Sequence, residues 1–588
     1  MRLEDLGLIG NCQYSALIDT SGSVAWCCLP RFDSEPVFAS LLDEAEGGHF
    51  RIGPAGGGKG VQSYLENTNV LETRFETPGG VFRVLDFAPR FRLMDRHFRP
   101  TQLFRIVEVL EGSPRVSVDC RPVLGWSKRS PERLQGSNHV RYEGFGSPLR
   151  LTTDVPLSYL DGQPFVLTGK KHLVLSFGPP PEEGLETMCQ RFLTETVTYW
   201  RRWVKHCSLP TLYQEEVIRS ALVLKLHCFD DTGAIVAATT TSLPEAPGSG
   251  RTWDYRYCWL RDSFYVLGAL RLLGHFDERE KFVNYLLDVA AGAEDLALAP
   301  LYRIDGKSDL SESILEHWPG YERNGPVRVG NQAAEHVQND VYGEMVLALA
   351  PIFLDPRFRA ERTEPAFRLL EQLARKAVAV AGTPDAGIWE YRTEWRPQTF
   401  SNLMCWAGAD RMARVAALRA PELEAEFRTA ASRLHAEIVR QSWNAQGASF
   451  AGSFGGKELD ASLLQMASLR FLPPDDPRLR ATVDTIQREL DQDGWLLRYK
   501  IDDGFGRPEV AFLLCTFWLV EALAIIGRQD TAQALVQRVL QKRSPLGLFS
   551  EDIDTRNGRL WGNFPQAYSH VGLIHAAFAA APRWSEVV

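Results

Sequence analysis

Two domains of different class are expected for this 588-residue chain: an N-terminal antiparallel β-sandwich followed by an all-α toroid of paired helices. Three observations lead there. The length exceeds what one hydrophobic core ordinarily organises. Up to Pro181 the chain carries short β-prone runs separated by Gly, Pro and Ser turns. From Leu212 onward, apolar residues recur at helical spacing through nearly a dozen segments.

In chain order, ALIDTSGSVAW places Thr20-Ser21-Gly22 between two β-prone runs, and TRFETPGGVFRVLDFAP does the same with Pro78-Gly79-Gly80. LFRIVEVLEGSPRVSVDC repeats the design at Gly112-Ser113-Pro114, and HLVLSFGPPP reads as a last strand stopped by prolines. The sandwich is therefore assigned to residues 1–181. GLETMCQRFLTETVTYWRRWVKHC has helical composition and is closed by Pro210, a helical connector over 182–210. Residues 211–588 form the helical domain. Val217, Ala221, Leu224 and Cys228 open it, and SFYVLGALRLLG, KFVNYLLDVAAGA, VYGEMVLALAPIF, AFRLLEQLARKAVAV, NLMCWAGADRMARVAAL, EFRTAASRLHAEIV, ASLLQMASLRF, FLLCTFWLVEALAIIG, TAQALVQRVLQK and HVGLIHAAFAAA follow. Helices alternating about a common axis would gather their loops at one end. No fixed-period repeat points to an open solenoid.

The composition, 45% hydrophobic and 24% charged with a net charge of −9, argues against nucleic acid or an anionic membrane as partner. No apolar run approaches the roughly 20 residues of a membrane helix. The N-terminus shows no basic region followed by an apolar run, so a cytoplasmic protein is expected. The ten cysteines are scattered without CxxC or Cys/His spacing, so no metal and no cofactor is expected. Fifteen tryptophans exceed what the core requires, and excess Trp suits a concave ligand site as well as packing. Association of like copies stays open.

Three loop-to-helix junctions concentrate the chemistry. RTWDYRYCWLRDS, residues 251–263, packs four aromatic rings, three arginines and two aspartates together. Asp262-Ser263 could cap the next helix, but capping leaves Arg251, Trp253, Asp254, Tyr255, Trp259 and Arg261 without a purpose. A polyol uses all of them: charged groups grip its hydroxyls and aromatic faces cover its C–H surface. In DAGIWEYRTEWRPQTFS, Glu390 stands between Trp389 and Tyr391. Aromatic burial would raise its pKa and let it act as a proton donor, whereas pairing with Arg392 or Arg396 would do the opposite. In LGLFSEDIDTRNGRLWGNFPQAYSH, Glu551 with Asp552 and Asp554 forms an acidic loop able to keep a water-activating base solvated and ionised. The alternating oxygen ligands of an EF-hand are absent from it. Trp389 and Arg392 beside Glu390, and Trp318, Gln338, Asp340, Arg498 and Glu509 at further loop–helix junctions, are candidate sugar contacts.

With these motifs in view, the chain resembles glycoside hydrolase family 15, the glucoamylase and bacterial trehalase group. The likeness rests on IVAATTTSLPE (235–245), RTWDYRYCWLRD (251–262), GIWEYR (387–392), FLLCTFWLVEAL (512–523) and GLFSEDIDTRNGRLWGNFPQAYSHVGLI (547–574). It implies that the toroid is an (α/α)6 barrel. It also implies that Glu390 is the general acid, Glu551 the general base, and Trp259, Arg261 and Asp262 the grip on the non-reducing glucose, with Arg498 reaching the neighbouring sugar. Fungal glucoamylases carry a second Glu after the acid, whereas Tyr391 stands there here. The expected reaction is inverting, exo-acting hydrolysis of an α-glucoside with release of β-glucose. Trehalose is favoured narrowly over maltooligosaccharides and isomaltose-type glucosides. A phosphorolytic enzyme of similar architecture and an inactive sugar-binding protein are the alternatives.

Overall fold

A computed structural model describes residues 1–181, 183–392 and 394–588. Glu182, where the connector is expected to begin, and Thr393, within the stretch 385–401, lie outside the described residues. Among the described residues, the strands up to Phe177 build an antiparallel sheet of seven strands, a second of eight, and a two-stranded ribbon. The two expected hairpins are present: Ser15–Asp19 with Ser23–Cys28, and Leu71–Thr77 with Gly80–Phe87. At the first turn Gly22 has φ +77°, and a Cβ there would lie 2.1 Å from the Ile52 carbonyl oxygen, so only glycine fits.

The third expected hairpin is a crossover instead. Gln102–Gly112 pairs with Gly80–Phe87 and Lys171–Phe177 in the eight-stranded sheet, whereas Arg115–Arg121 pairs with His49–Pro54 in the other. Apolar residues alternate alike in a hairpin and in a strand that changes sheets, so the pattern does not separate the two.

Arg105 ties the sheets together. Its guanidinium meets Asp86 at 2.7 Å on its own sheet and donates to the carbonyls of Phe50 and Gly22 on the facing one, with both charged side chains fully buried. Removing one partner strands a buried charge. Asp86→Ala is therefore expected to cost about 3–5 kcal/mol, read as a lowered denaturant midpoint.

Helix α1 (Leu185–Lys205) buries Met188, Cys189, Phe192, Trp200 and Val204 along one face. Met188, Cys189 and Phe192 pack against Phe87, Phe104 and Val174 of the eight-stranded sheet. Beyond it come α2 (Gln214–His227), α3 (Leu260–Leu272), α4 (Asp277–Ala291), α5 (Asp340–Leu354), α6 (Glu364–Val380) and α7 (Thr399–Arg419). Then follow α8 (Pro421–Ser442), α9 (Gln465–Ser468), α10 (Pro477–Leu490), α11 (Leu513–Ile525), α12 (Gln529–Leu540) and α13 (Ala567–Ala580).

The packing closes on itself. α3 touches α5, α5 touches α7, and α7 touches the turn Ala461–Leu464 that leads into α9; α9 touches α11, α11 touches α13, and α13 returns to α3. α11 and α13 are buried nearly all round, as helices enclosed on every side must be. α6 and α10 bury a single stripe and lie outside. ASLLQMASLRF yields only a 3-10 turn and one turn of α-helix, not a full helix. α10 was not among the expected segments, although Leu479, Val483, Ile486 and Leu490 have helical spacing and Asp476-Pro477 caps its start. No helix among the described residues is long and apolar enough to cross a membrane.

Candidate active site

The loops entering α3, α7, α11 and α13 converge on one pocket. The sandwich buttresses these loops from behind: Trp26 donates to the Thr239 carbonyl and Arg256 to that of Ser34.

Glu390 sits in the turn before α7 with φ +60°, a left-handed conformation unusual for a side chain with a Cβ and costly by about 1–3 kcal/mol. The turn is held on several sides. The Tyr391 N–H reaches the Ala386 carbonyl, that of Ala386 reaches Val337, and the Trp389 indole donates to Asp460 at 2.7 Å. The Glu390 carboxylate, about a quarter exposed, receives the Trp259 indole N–H at 2.9 Å and faces Arg261 at 3.4 Å.

Arg261 is itself fixed. Its Nη1 donates to Gln338 at 2.7 Å and stands 3.9 Å from Asp340, while its Nε donates to the Tyr568 hydroxyl. Asp262, beside it, is pushed up to about 7, chiefly by burial.

Glu551 is anchored by backbone. Its N–H donates to the Asn563 carbonyl, and its carbonyl receives the Leu513 N–H at the head of α11. Its Oε1 accepts from the Tyr255 hydroxyl at 2.7 Å, and its buried Oε2 has no hydrogen-bond partner among the described residues. Tyr255 packs edge-on against Trp259 at 5.3 Å. Two aromatics in edge contact thus link Glu551 to Glu390, and both carboxylates open into the same pocket.

The electrostatics decide the question left open at Glu390 and reverse the expectation at Glu551. Burial pushes Glu390 upward, but Arg261, His336 and hydrogen bonds from Trp259 and Gln338 outweigh it, and the group ends below its ordinary value. The ion pair foreseen with Arg392 or Arg396 is made by Arg261 instead. Glu551 is not solvated; it is buried and pushed up to about 8, by burial first and then by the charge of Glu245.

Arg251, Trp253, Tyr255, Trp259, Arg261, Asp262, Trp389, Arg392 and Arg498 line the pocket as expected. Five other candidates do not. Asp254 is consumed by a buried two-point pair with Arg256. Trp318 donates to the Trp126 carbonyl of the sandwich. Gln338 and Asp340 stand behind Arg261 and hold it. Glu509 is exposed, because the chain after Arg498 turns back at Gly504 and Gly506 (φ +102° and +89°) and presents Asp503 to the pocket instead.

Residues the sequence did not single out complete the wall: Glu245, Asp503, Phe505, Trp518, Gln566 and Tyr568. Glu245 ends the quoted IVAATTTSLPE stretch, and Gln566 and Tyr568 lie in NFPQAYSH, so their motifs were visible although their roles were not.

Residues 211–578 match the family model "Glycosyl hydrolases family 15", and residues 1–155 match one described as "Trehalase-like, N-terminal". The chain belongs to glycosyl hydrolase family 15. A trehalase of Mycolicibacterium smegmatis is 34% identical to this family 15 enzyme, covering 98% of this chain and 90% of the relative. A trehalase of Thermoplasma volcanium is also 34% identical, covering 97% and 92%. Among solved structures, a bacterial glucoamylase complexed with acarbose matches with a TM-score of 0.67 at 14% identity, covering 98% of this chain and 94% of the other. That likeness bears on the fold: a sheet-rich N-terminal region followed by a helical one. The enzyme is a glycoside hydrolase.

Proposed function

We propose that the enzyme is a trehalase, an inverting, exo-acting hydrolase of the bond between the two glucoses of trehalose. The observation that carries the chemistry is the pair of carboxylates on one pocket, joined through Tyr255 and Trp259. Glu390 protonates the glycosidic oxygen. Glu551 takes a proton from water with the lone pairs of Oε2, the oxygen without a hydrogen-bond partner among the described residues. The two carboxyls are to stand ~6.5–9.5 Å apart, leaving room for that water. Arg261 and Asp262 grip the glucose being released, and Trp259 and Trp389 cover its faces. The choice of trehalose rests on relatives of that name aligning over nearly the whole chain.

The architecture behind this reading is an (α/α)6 barrel, with α3, α5, α7, α9, α11 and α13 as the inner ring. The domain limits are 1–181, 182–210 and 211–588. Ten free cysteines, nine of them buried, support a cytoplasmic location.

A pH dependence follows. With Glu390 held low and Glu551 pushed up to about 8, the pair carries one proton between those two values, and that proton rests mainly on Glu551. Catalysis uses the minor arrangement, with the proton on Glu390. The kcat/KM profile is therefore a bell that falls as pH rises through about 8, where the last proton leaves, and falls again below the lowered value of Glu390. Glu245→Gln removes a negative charge that favours protonated Glu551, so the alkaline limb shifts to lower pH. An unmoved limb would take Glu551 out of that titration.

The reading is tested by glucose release from trehalose, maltose, isomaltose and maltotriose. Trehalose is expected to lead in kcat/KM by at least about tenfold. Maltotriose in the lead would make the enzyme a glucoamylase-type hydrolase.

A further inference from the structure

The pocket's outer rim is a fixed wall built by the loop 499–508. Arg251 grips both oxygens of Asp503 at 2.7 and 2.6 Å and donates to the Gly506 carbonyl at 2.9 Å. Tyr499 donates to the same carboxylate, which also accepts the Phe505 N–H at 3.0 Å. Asp502 Oδ1 accepts the N–H groups of Gly504 and Gly506, bracing the turn from its other side. So tied, the loop sets Phe505 edge-on against Trp253 at 5.2 Å. The Arg392 guanidinium lies 4.4 Å over Trp253 and 5.0 Å over Phe505, and it donates to Gln332 in the 3-10 turn Gln332–Glu335. Phe505, 37% exposed, is the outermost of these groups, whereas Arg261, 7% exposed, lies at the pocket's floor.

We infer that this latched loop, with Phe505 as its cap, limits the substrate to two sugars. The inference rests on the trehalase reading and adds to it a residue that sets substrate length. One glucose fills the floor at Arg261 and Asp262. The second meets two neighbouring arginine–carboxylate pairs, Arg251 with Asp503 and Arg498 with Glu245, charged groups of the kind that grip a ring bearing several hydroxyls. A third sugar would have to pass where the ring of Phe505 stands, between Trp253 and Arg392. Opening that path breaks the contacts of Phe505 with Trp253 and Arg392, not a swinging flap.

The test compares trehalose with the trisaccharide formed by adding one α-1,4-glucosyl residue to it. Either terminal glucose of that trisaccharide carries a two-sugar leaving group, so any glucose released reports an extended aglycone. The wild-type enzyme is expected to favour trehalose by about 100-fold or more in kcat/KM, and Phe505→Ala to narrow that ratio at least tenfold, with Phe505→Leu in between. Unchanged melting temperatures show that the partly exposed position leaves the fold intact. Wild-type turnover of the two sugars within about threefold, or a ratio that Phe505→Ala leaves in place, overturns the length limit. With maltotriose as a third substrate, wild-type enzyme inert on trehalose yet active on maltotriose overturns the trehalase reading itself, a separate outcome.

Discussion

Glu390→Gln is expected to lower kcat on trehalose by about 10²–10⁴-fold while KM stays near the wild-type value. The amide fills the same turn and still accepts from Trp259, but it has no proton to give the departing oxygen. The loss should depend on the leaving group. With α-glucosyl fluoride, whose fluoride departs without protonation, Glu390→Gln retains a much larger share of wild-type activity than with trehalose. Equal losses on both substrates would mean that Glu390 holds the sugar and donates no proton. The strained backbone at this residue fits the proposed proton donor: a conformation costing energy persists where the surrounding contacts fix it, and here they hold one carboxylate at the pocket wall.

The second large effect is at Glu551. Glu551→Ala should also lose about 10²–10⁴-fold, this time on trehalose and α-glucosyl fluoride alike, because water activation serves both. Azide, a nucleophile that needs no base, can enter the space the side chain leaves and attack C1 from the face the water would use. It should restore turnover of the fluoride and yield β-glucosyl azide. The α-azide as product would place the attack on the opposite face and remove Glu551 from the base's role. Tyr255→Phe should show a milder form of the same loss, since its hydroxyl orients the Glu551 carboxylate.

Much of the site was legible in the chain because its residue types are unusual where they stand. Arg251 to Asp262 holds more rings and charges than any loop needs for folding, and half of that segment lines the pocket. The electrostatics were not legible. Arg261, which keeps Glu390 ionised, lies 129 residues earlier, and no local pattern announces their meeting. Glu551 was expected in water because its loop is acidic, yet Glu245, from a loop more than 300 residues away, helps hold a proton on it. Asp254 and Trp318 read as sugar contacts by composition, but folding spends the first on Arg256, two residues along the same loop, and the second on the Trp126 carbonyl of the sandwich, a tertiary pairing. The crossover at Ser113-Pro114 was missed because strand alternation is blind to which sheet receives a strand. Helix α10 was missed because its exposed face is heavily charged and only one stripe is apolar.

Inversion at one carbon, with a water placed by Glu551 opposite the bond that Glu390 protonates, is most directly tested by hydrolysing trehalose in H₂¹⁸O and reading the first-formed glucose by NMR and mass spectrometry before the anomers equilibrate. The attacked ring should leave as β-glucose carrying ¹⁸O at C1, and its partner as unlabelled α-glucose, in equal amounts. If both sugars appeared first as α-glucose, with the label in half of them, the two carboxylates would be working by retention and the roles given to Glu390 and Glu551 would be wrong.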